Sequence, residues 1–343
     1  MGFSDICSLI SEFFLRVYSF FVSIFSGAPH ESVVSFDSGL SVTLCDTIGE
    51  GAYSFVYTAS SGGKTYALKK MYLQSVEFER CALMEVASFK KFHHPNILKL
   101  LDSVSRTENK SRVMYMLFPF MEQGSLRNIL LRRERGQLPR PSLREILTDF
   151  TAICEAVGVL HAYNPAYVHQ DIKPENILIA EDGTPLLTDF GSVRLADVNI
   201  ISRSQALSIA DEASQHCTIS YRAPELFDPR TGTILDSRTD VWALGCLLFA
   251  WWHGYSPFEC EITEVGVKVV ECTHLRVLAK VPSCGPSASA EDRTLQQLVE
   301  EILEQDITKR PFLPAVIASI RKTRETLGGR RQMVSNFGGV DTV

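Results

Sequence analysis

From about residue 40, apolar and polar positions alternate with the two-residue rhythm of half-buried strands. The stretches "LSVTLCDTI" (40–48), "SFVYTAS" (54–60) and "KTYALKKMY" (64–72) are separated by glycine-bearing turns, which predicts three successive strands. The rhythm then lengthens. In "EFERCALMEVASFKKF" (77–92), Phe78, Cys81, Val86, Phe89 and Phe92 fall on or near one helical face. "NILKLLDSVS" (96–105) and "SRVMYMLFPF" (111–120) predict two more strands. After Pro119 the pattern becomes helical. A long helix is predicted over 142–163, and a second over 236–254 is apolar nearly all round, as a buried helix must be. Amphipathic helices follow over 293–306 and 312–327, and the glycine-bearing 328–343 shows no period, so a loose tail is expected. The fold class predicted is α+β and bilobal: a small, mostly β lobe with one helix (42–118), a hinge near 118–124, and a larger helical lobe (125–325). Residues 31–41 are taken as a linker and 326–343 as a flexible tail.

The first 30 residues follow a different pattern. In "ICSLISEFFLRVYSFFVSIF" (6–25) fourteen of twenty positions are apolar, while Ser8, Glu12, Arg16, Ser19, Ser23 and Ser26 recur every three or four residues. On a helix they form one narrow polar stripe, with Glu12 and Arg16 placed to pair. A spanning helix would carry both charges toward hydrocarbon, at roughly 2.5–3.5 kcal/mol each near its centre. An in-plane amphipathic anchor on a membrane surface is therefore ranked first. A helix packed on its own domain ranks second, and a true span third. A secretory leader would want a basic start, and "MGFSD" has none.

Composition narrows the classes. A chain of 343 residues, 45% hydrophobic and 22% charged, is an ordinary globular protein. Its formal net charge of -6 gives no reason to expect nucleic-acid binding. Nine cysteines include no CxxC pair, and so large a chain needs no disulfide staples; reduced thiols in a cytosol-facing protein are expected.

Several short stretches carry candidate chemistry. In "IGEGAYSFVY" (48–57), Gly49 and Gly51 allow the backbone to approach phosphates, although a plain glycine hairpin would look the same. Lys69 lies two strands on, and Glu85 on the helix is the acid best placed to reach it; a paired lysine can hold nucleotide phosphates. Lys70 is expected in solvent. In "YVHQDIKPEN" (167–176), Asp171 can orient a hydroxyl and accept its proton, Lys173 can neutralise a phosphoryl group, and Asn176 can hold a metal. The turn "AEDGT" (180–184) should return Asp189 of "LLTDFG" to Asn176, giving hard oxygen ligands suited to Mg²⁺. Each element alone is weak; in this order they point to phosphoryl transfer.

Taken with "YRAPE", "RTDVWALG" and "KRP", these motifs resemble a eukaryotic protein kinase over residues 42–325. The stretch "SRSQALSIADEASQHCTISYRAPELF" is similar to the Numb-associated kinase family. That resemblance implies transfer of the ATP γ-phosphoryl group to serine or threonine hydroxyls of protein substrates. Mg²⁺ would serve as cofactor, with Mn²⁺ as a substitute. It also implies a role in trafficking or secretion at the cytosolic face of the Golgi or other endomembranes, with the plasma membrane and cytoplasm as further locations. A scaffold without transfer and a dual-specificity kinase are the alternatives. Gly49, Glu50, Gly51, Ser54, Val56 and Ala67 match its nucleotide site, with Ser54 where a third glycine is usual. Phe118 matches its gatekeeper, and the Pro119 carbonyl and Met121 N–H would face adenine. Lys69 and Glu85 match its ion pair, Asp171 and Lys173 its catalytic residues, Asn176 and Asp189 its metal ligands, and Glu225 and Arg310 a structural salt bridge.

Four further expectations rest on this resemblance. Thr218 and Ser220 are candidate autophosphorylation sites, with a purely structural role for each hydroxyl as the competing reading. Gly2 and Cys7 are candidate acylation sites, although Ile6 and bulky Phe3 depart from the acylation pattern. Residues 202–214 favour an ordered helical insert over a mobile loop, with Leu207, Ile209 and Ala210 as its contacts. Finally, Gln170 stands where many kinases carry an arginine that pairs with a phosphate on the activation segment. An uncharged amide recognises phosphate poorly, so control is altered and chemistry is not.

Overall fold

The computed structural model describes residues 33–51, 54–108, 110–263, 266–285 and 287–335, with backbone alone for 328–335. The N-terminal amphipathic segment, with Gly2 and Cys7, lies outside the described residues. The small lobe is one six-stranded antiparallel sheet, β1 (Val33–Ser35), β2 (Ser41–Glu50), β3 (Ser54–Ser61), β4 (Lys64–Tyr72), β5 (Asp102–Glu108) and β6 (Ser111–Pro119), in the order β1-β2-β3-β4-β6-β5. Helix α1 (Val76–Lys91) lies between β4 and β5 in sequence. Ser75 caps it by accepting from the Phe78 N–H at 3.2 Å, while Glu77 and Glu79 complement the N-terminal end of its dipole.

Three differences from the predicted strands have local causes. The linker contains β1, because Val34 and Phe36 bury against the sheet and Val33 pairs with Thr43. The strand predicted over 96–105 begins only at Asp102; Ile97 and Leu98 instead contact Leu187 of the large lobe. Lys70 is not free in solvent. It faces outward on β4 opposite Tyr115, ion-pairs with Glu108 at 2.8 Å and lies 5.2 and 5.3 Å from the Tyr72 and Tyr115 rings.

The large lobe contains α2 (Leu126–Glu134), α3 (Leu143–His161), the strand β7 (Tyr167–Val168), the hairpin β8 (Ile177–Ile179) and β9 (Pro185–Leu187), β10 (Arg194–Leu195), β11 (Val198–Asn199), α4 (Arg203–His216), β12 (Ile234–Leu235), α5 (Arg238–His253), β13 (Cys260–Thr263), β14 (Gly266–Val269), α6 (His274–Val277), α7 (Ala290–Ile302) and α8 (Leu313–Ser335). Apolar periodicity does not predict helix α2; its sequence signal is a capping box in which Ser125 and Asn128 satisfy each other's backbone N–H groups. Gly124 precedes it at φ +72°, where an added Cβ would lie 2.7 Å from Asn128 Oδ1. Helix α5 is buried from Thr239 through Trp252, so each fully buried large apolar side chain contributes about 1.5–3 kcal/mol. Helix α8 continues to Ser335, past the predicted end at 327, since two glycines weaken a helix already nucleated without forbidding it.

One core runs through both lobes, joining Phe89 of α1, Phe118 of β6 and Phe190 after β9. A second covers the outer face of the sheet, where Val34 and Phe36 pack with Leu68 and Leu117. The cleft between the lobes is therefore walled by the inner face of β3, β4 and β6.

Candidate active site

Strand register sets the roof of the cleft. Val56 pairs with Lys69, Lys69 with Met116, and Ala67 with Phe118, so these side chains share the inner face. Gly49 lies opposite Val56 and exposed Glu50 opposite Phe55; the Gly51 N–H donates to the Ser54 carbonyl at 2.8 Å, closing the loop. Ala52 and Tyr53 lie outside the described residues. Phe118 is buried with its ring 5.0 Å from Phe89, Pro119 ends β6 opposite Tyr66, and Met121 packs partly buried on the large-lobe core.

Lys69 is where the two lobes meet. Its Nζ lies 2.7 and 2.9 Å from the Glu85 carboxylate oxygens and 3.2 Å from Asp189 Oδ1. Glu85 is 1% exposed and reaches inward from α1. Burial works against the Lys69 charge, but the Asp189 and Glu85 carboxylates outweigh it and hold its pKa above that of ordinary lysine. The same ammonium holds the Asp189 carboxyl below the usual range, so this ligand stays ionised. Burial raises Glu85, and Lys69 offsets only part of that rise. Asp189 adopts φ +62°, a left-handed conformation that a non-glycine residue keeps only when its surroundings impose it. Phe190, next in sequence, is fully buried against Phe89 and His169.

The second cluster centres on Asp171. Lys173 Nζ lies 2.7 Å from Asp171 Oδ2, and Asn176 Nδ2 donates to the same oxygen at 3.0 Å and to the Asp171 carbonyl at 2.8 Å. The Thr218 hydroxyl donates to Asp171 Oδ1 at 2.7 Å and accepts from Lys173 at 2.8 Å. β8 and β9 pair as predicted, and the Thr188 N–H donates to the Asn176 carbonyl at 3.0 Å, which brings Asp189 back toward Asn176.

Asp240, missed in the sequence, supports this loop from below. It is fully buried in the first turn of α5 and accepts from the His169 N–H at 2.8 Å and the Gln170 N–H at 2.9 Å, with His161 Nε2 3.0 Å away. Its only sequence signal is an acid in an otherwise apolar helix, which demands buried partners. Glu225 and Arg310 form a bidentate pair at 2.7 and 3.0 Å, and Arg310 also donates to the Glu304 and Arg238 carbonyls.

Two expectations for the activation segment are corrected. Ser220 is 2% exposed and its carbonyl accepts from Ser256, so its hydroxyl is not presented for modification. The Thr218 hydroxyl, partly buried, bonds Asp171 and Lys173 inside the catalytic cluster, the structural role that competes with its modification. The helical insert is present as α4, but Leu207 is 62% exposed; Ala206 and Ala213 are the buried residues, with Ile209 packed on the core.

The donor set suits a divalent metal bound together with phosphates. Asn176 spends its amide nitrogen on Asp171, which leaves its oxygen as the acceptor, and Asp189 is an ionised carboxylate. Among the described residues no cluster of three His, Cys, Asp or Glu side chains forms a cage by itself. Mg²⁺ held by one or two protein oxygens and by substrate phosphates needs none.

Residues 42–319 match the protein kinase domain family. The chain belongs to that family. It is 32% identical to human serine/threonine-protein kinase 16 over 286 residues, covering 82% of this chain and 90% of the relative. A probable serine/threonine-protein kinase of Dictyostelium discoideum is 31% identical, over 83% of this chain and 94% of its own length. Serine/threonine-protein kinase ppk13 of Schizosaccharomyces pombe is 28% identical over 80% and 88%. This kinase therefore has the bilobal fold and ATP-directed cleft of its family, with the ion pair and the Asp171 cluster both assembled.

Proposed function

We propose that this kinase transfers the γ-phosphoryl group of ATP to serine or threonine hydroxyls of protein substrates, at a membrane surface and in trafficking or secretion. One observation carries the transfer: Lys69 is held between Glu85 and Asp189 while Asp171 stands with Lys173 and Asn176 at the end of the same cleft. Lys69 fixes nucleotide phosphates, and Glu85 fixes the Lys69 rotamer. Asp171 orients the acceptor hydroxyl and takes its proton as the new oxygen–phosphorus bond forms and the β–γ bridge breaks. Lys173 offsets charge on the moving group. Bound Mg²⁺, or Mn²⁺ in its place, would neutralise the phosphate oxygens, with Asn176 and Asp189 as its protein ligands.

The serine/threonine acceptor is supported by the relatives, which are serine/threonine-protein kinases by name. Kinship with the Numb-associated kinases is supported by the resemblance of residues 202–227. Membrane attachment rests on the stripe from Ser8 to Ser26 in the sequence, with Gly2 and Cys7 as candidate acylation positions; the cytosolic face of endomembranes follows from the same resemblance. Among the described residues no helix is long and apolar enough to cross a membrane. A scaffold without transfer would not need Lys69, Asp171, Asn176 and Asp189 all in place.

The test is radiolabelled phosphate transfer to a peptide library, followed by phosphoamino-acid analysis, for wild type and Asp189→Asn. Label on serine and threonine that Asp189→Asn abolishes is expected. Transfer by Asp189→Asn at the wild-type rate overturns the metal assignment, and label on tyrosine overturns the acceptor class. Deleting residues 2–26 should release the protein from pelleted membranes; unchanged pelleting rules the anchor out.

A further inference from the structure

At the C-terminal end of α1, six residues beyond Glu85, Lys91 is enclosed by aromatic rings of the large lobe. Its Nζ lies 3.9 Å from the Tyr167 ring centroid and 4.7 Å from that of Tyr163, and donates to the Tyr167 hydroxyl at 2.7 Å. The Tyr163 hydroxyl donates to the Lys91 carbonyl at 2.9 Å. Phe92, 1% exposed, packs edge-on against Tyr163 at 5.0 Å and Tyr167 at 5.4 Å, and lies 6.1 Å from the Phe190 ring beside Asp189. Among the described residues Lys91 ion-pairs with no carboxylate, so the two rings and the Tyr167 hydroxyl are what this ammonium was given.

The two tyrosines sit on rigid ground. Tyr163 follows the cap of α3, and Tyr167 is in β7, paired with Leu195 of β10 and directly before the catalytic loop. An α-helix is stiff over six residues, so holding its last turn on the large lobe limits how far Glu85 can swing from Lys69. A lysine in the last turn also complements the helix dipole, but that accounts for neither the ring geometry nor the bond returned by Tyr163.

We propose that Lys91, Tyr163 and Tyr167 form an aromatic cage that docks α1 on the large lobe and so positions Glu85 for Lys69, with no partner protein required. Lys91 acts through Glu85 and does not touch the reacting groups. The consequence for catalysis rests on the kinase reading above; the docking itself does not.

The deciding measurement is amide hydrogen exchange of the full chain, which reads local opening whether or not activity changes. Lys91→Met keeps the stem and removes the cation; Tyr163→Phe keeps the ring and removes the bond to the Lys91 carbonyl. Exchange across 84–91 should speed up about 5–30-fold in Lys91→Met, the factor expected for a partly desolvated cation–π contact with its hydrogen bond. Tyr163→Phe should show a smaller rise. Exchange in the buried helix 238–253 should not change, and Lys91→Arg should restore protection over 84–91. Where the nucleotide KM changes, it should rise with that exchange while peptide KM stays put. If Lys91→Met does not fold, Tyr163→Phe decides alone. Unchanged exchange over 84–91 in the folded variants overturns the cage, as does an equal rise in 238–253, which would mean global destabilisation. Absence of phosphotransfer in the wild type would instead refute the kinase reading and leave the exchange result to judge the docking.

Discussion

Replacing Thr218 by valine removes one hydroxyl and keeps the shape of the side chain. That hydroxyl donates to Asp171 at 2.7 Å and accepts from Lys173 at 2.8 Å, so both bonds involve a charged partner. A hydrogen bond to a charged group is worth about 1.5–3 kcal/mol. The loss is limited to about one such bond, because Asp171 keeps Lys173 at 2.7 Å and Asn176 at 3.0 Å. At 1.36 kcal/mol per factor of ten, kcat should fall about 10–150-fold. The ATP KM should move little, since Lys69 and Glu85 are untouched, and Thr218→Ser should recover most of the loss. Steady-state transfer to one defined peptide measures all three proteins. A valine variant within about threefold of wild type would refute the bridging role. So would an active enzyme carrying phosphate on Thr218, because a dianion there would stand against the Asp171 carboxylate.

Two further outcomes concern stability. Arg310→Met leaves the Glu225 carboxylate, its side chain 9% exposed, without its partner and should cost about 3 kcal/mol by chemical denaturation, while adding Glu225→Gln should cost less than the sum of the single changes. Burial lifts the Asp149 carboxyl to about 6, against the opposing pull of Arg133. A raised folded pKa contributes stability that is complete below about pH 4 and lost as pH rises through 6. Asp149→Asn should therefore flatten that pH dependence and stabilise the protein at pH 8 by about 1 kcal/mol after allowing for solvent screening, read from thermal midpoints.

How much of this was legible in the sequence depended on whether a residue acts through local spacing or through long-range packing. Asp171, Lys173 and Asn176 lie within six residues, and one hairpin carries the chain to Asp189, so spacing alone predicted their meeting. Lys69 and Glu85 needed only a strand followed by a helix. Asp240 acts on a loop seventy residues earlier, and no local period announces that contact. Thr218 is similar: the sequence leaves its hydroxyl open to modification or to a structural role, and only the fold discloses Asp171 beside it. Lys70 looked like a solvent charge because nothing in its strand discloses Glu108 or Tyr115 across the sheet. Helix α2 is short enough that its capping box outweighs its faint periodicity.

Gln170 shows how the local and long-range readings combine. Its backbone, at φ +66°, is held by the Asp240 carboxylate, an anchor that uses no side-chain charge. Its side-chain carbonyl accepts from the Cys217 thiol at 3.7 Å, just after α4. Helix α4 is secured by buried Ala206 and Ala213 and by Glu212, which pairs with Arg194 at 2.6 Å. The Glu212 carboxylate is encoded, so its pairing with Arg194 is available at every stage of the protein's life. Leu207 is mostly exposed, and the docking rests on Ile209 and on small residues that let the helix approach closely. The neutral amide fits a segment ordered by its own side chains, in which the Thr218 hydroxyl donates to Asp171.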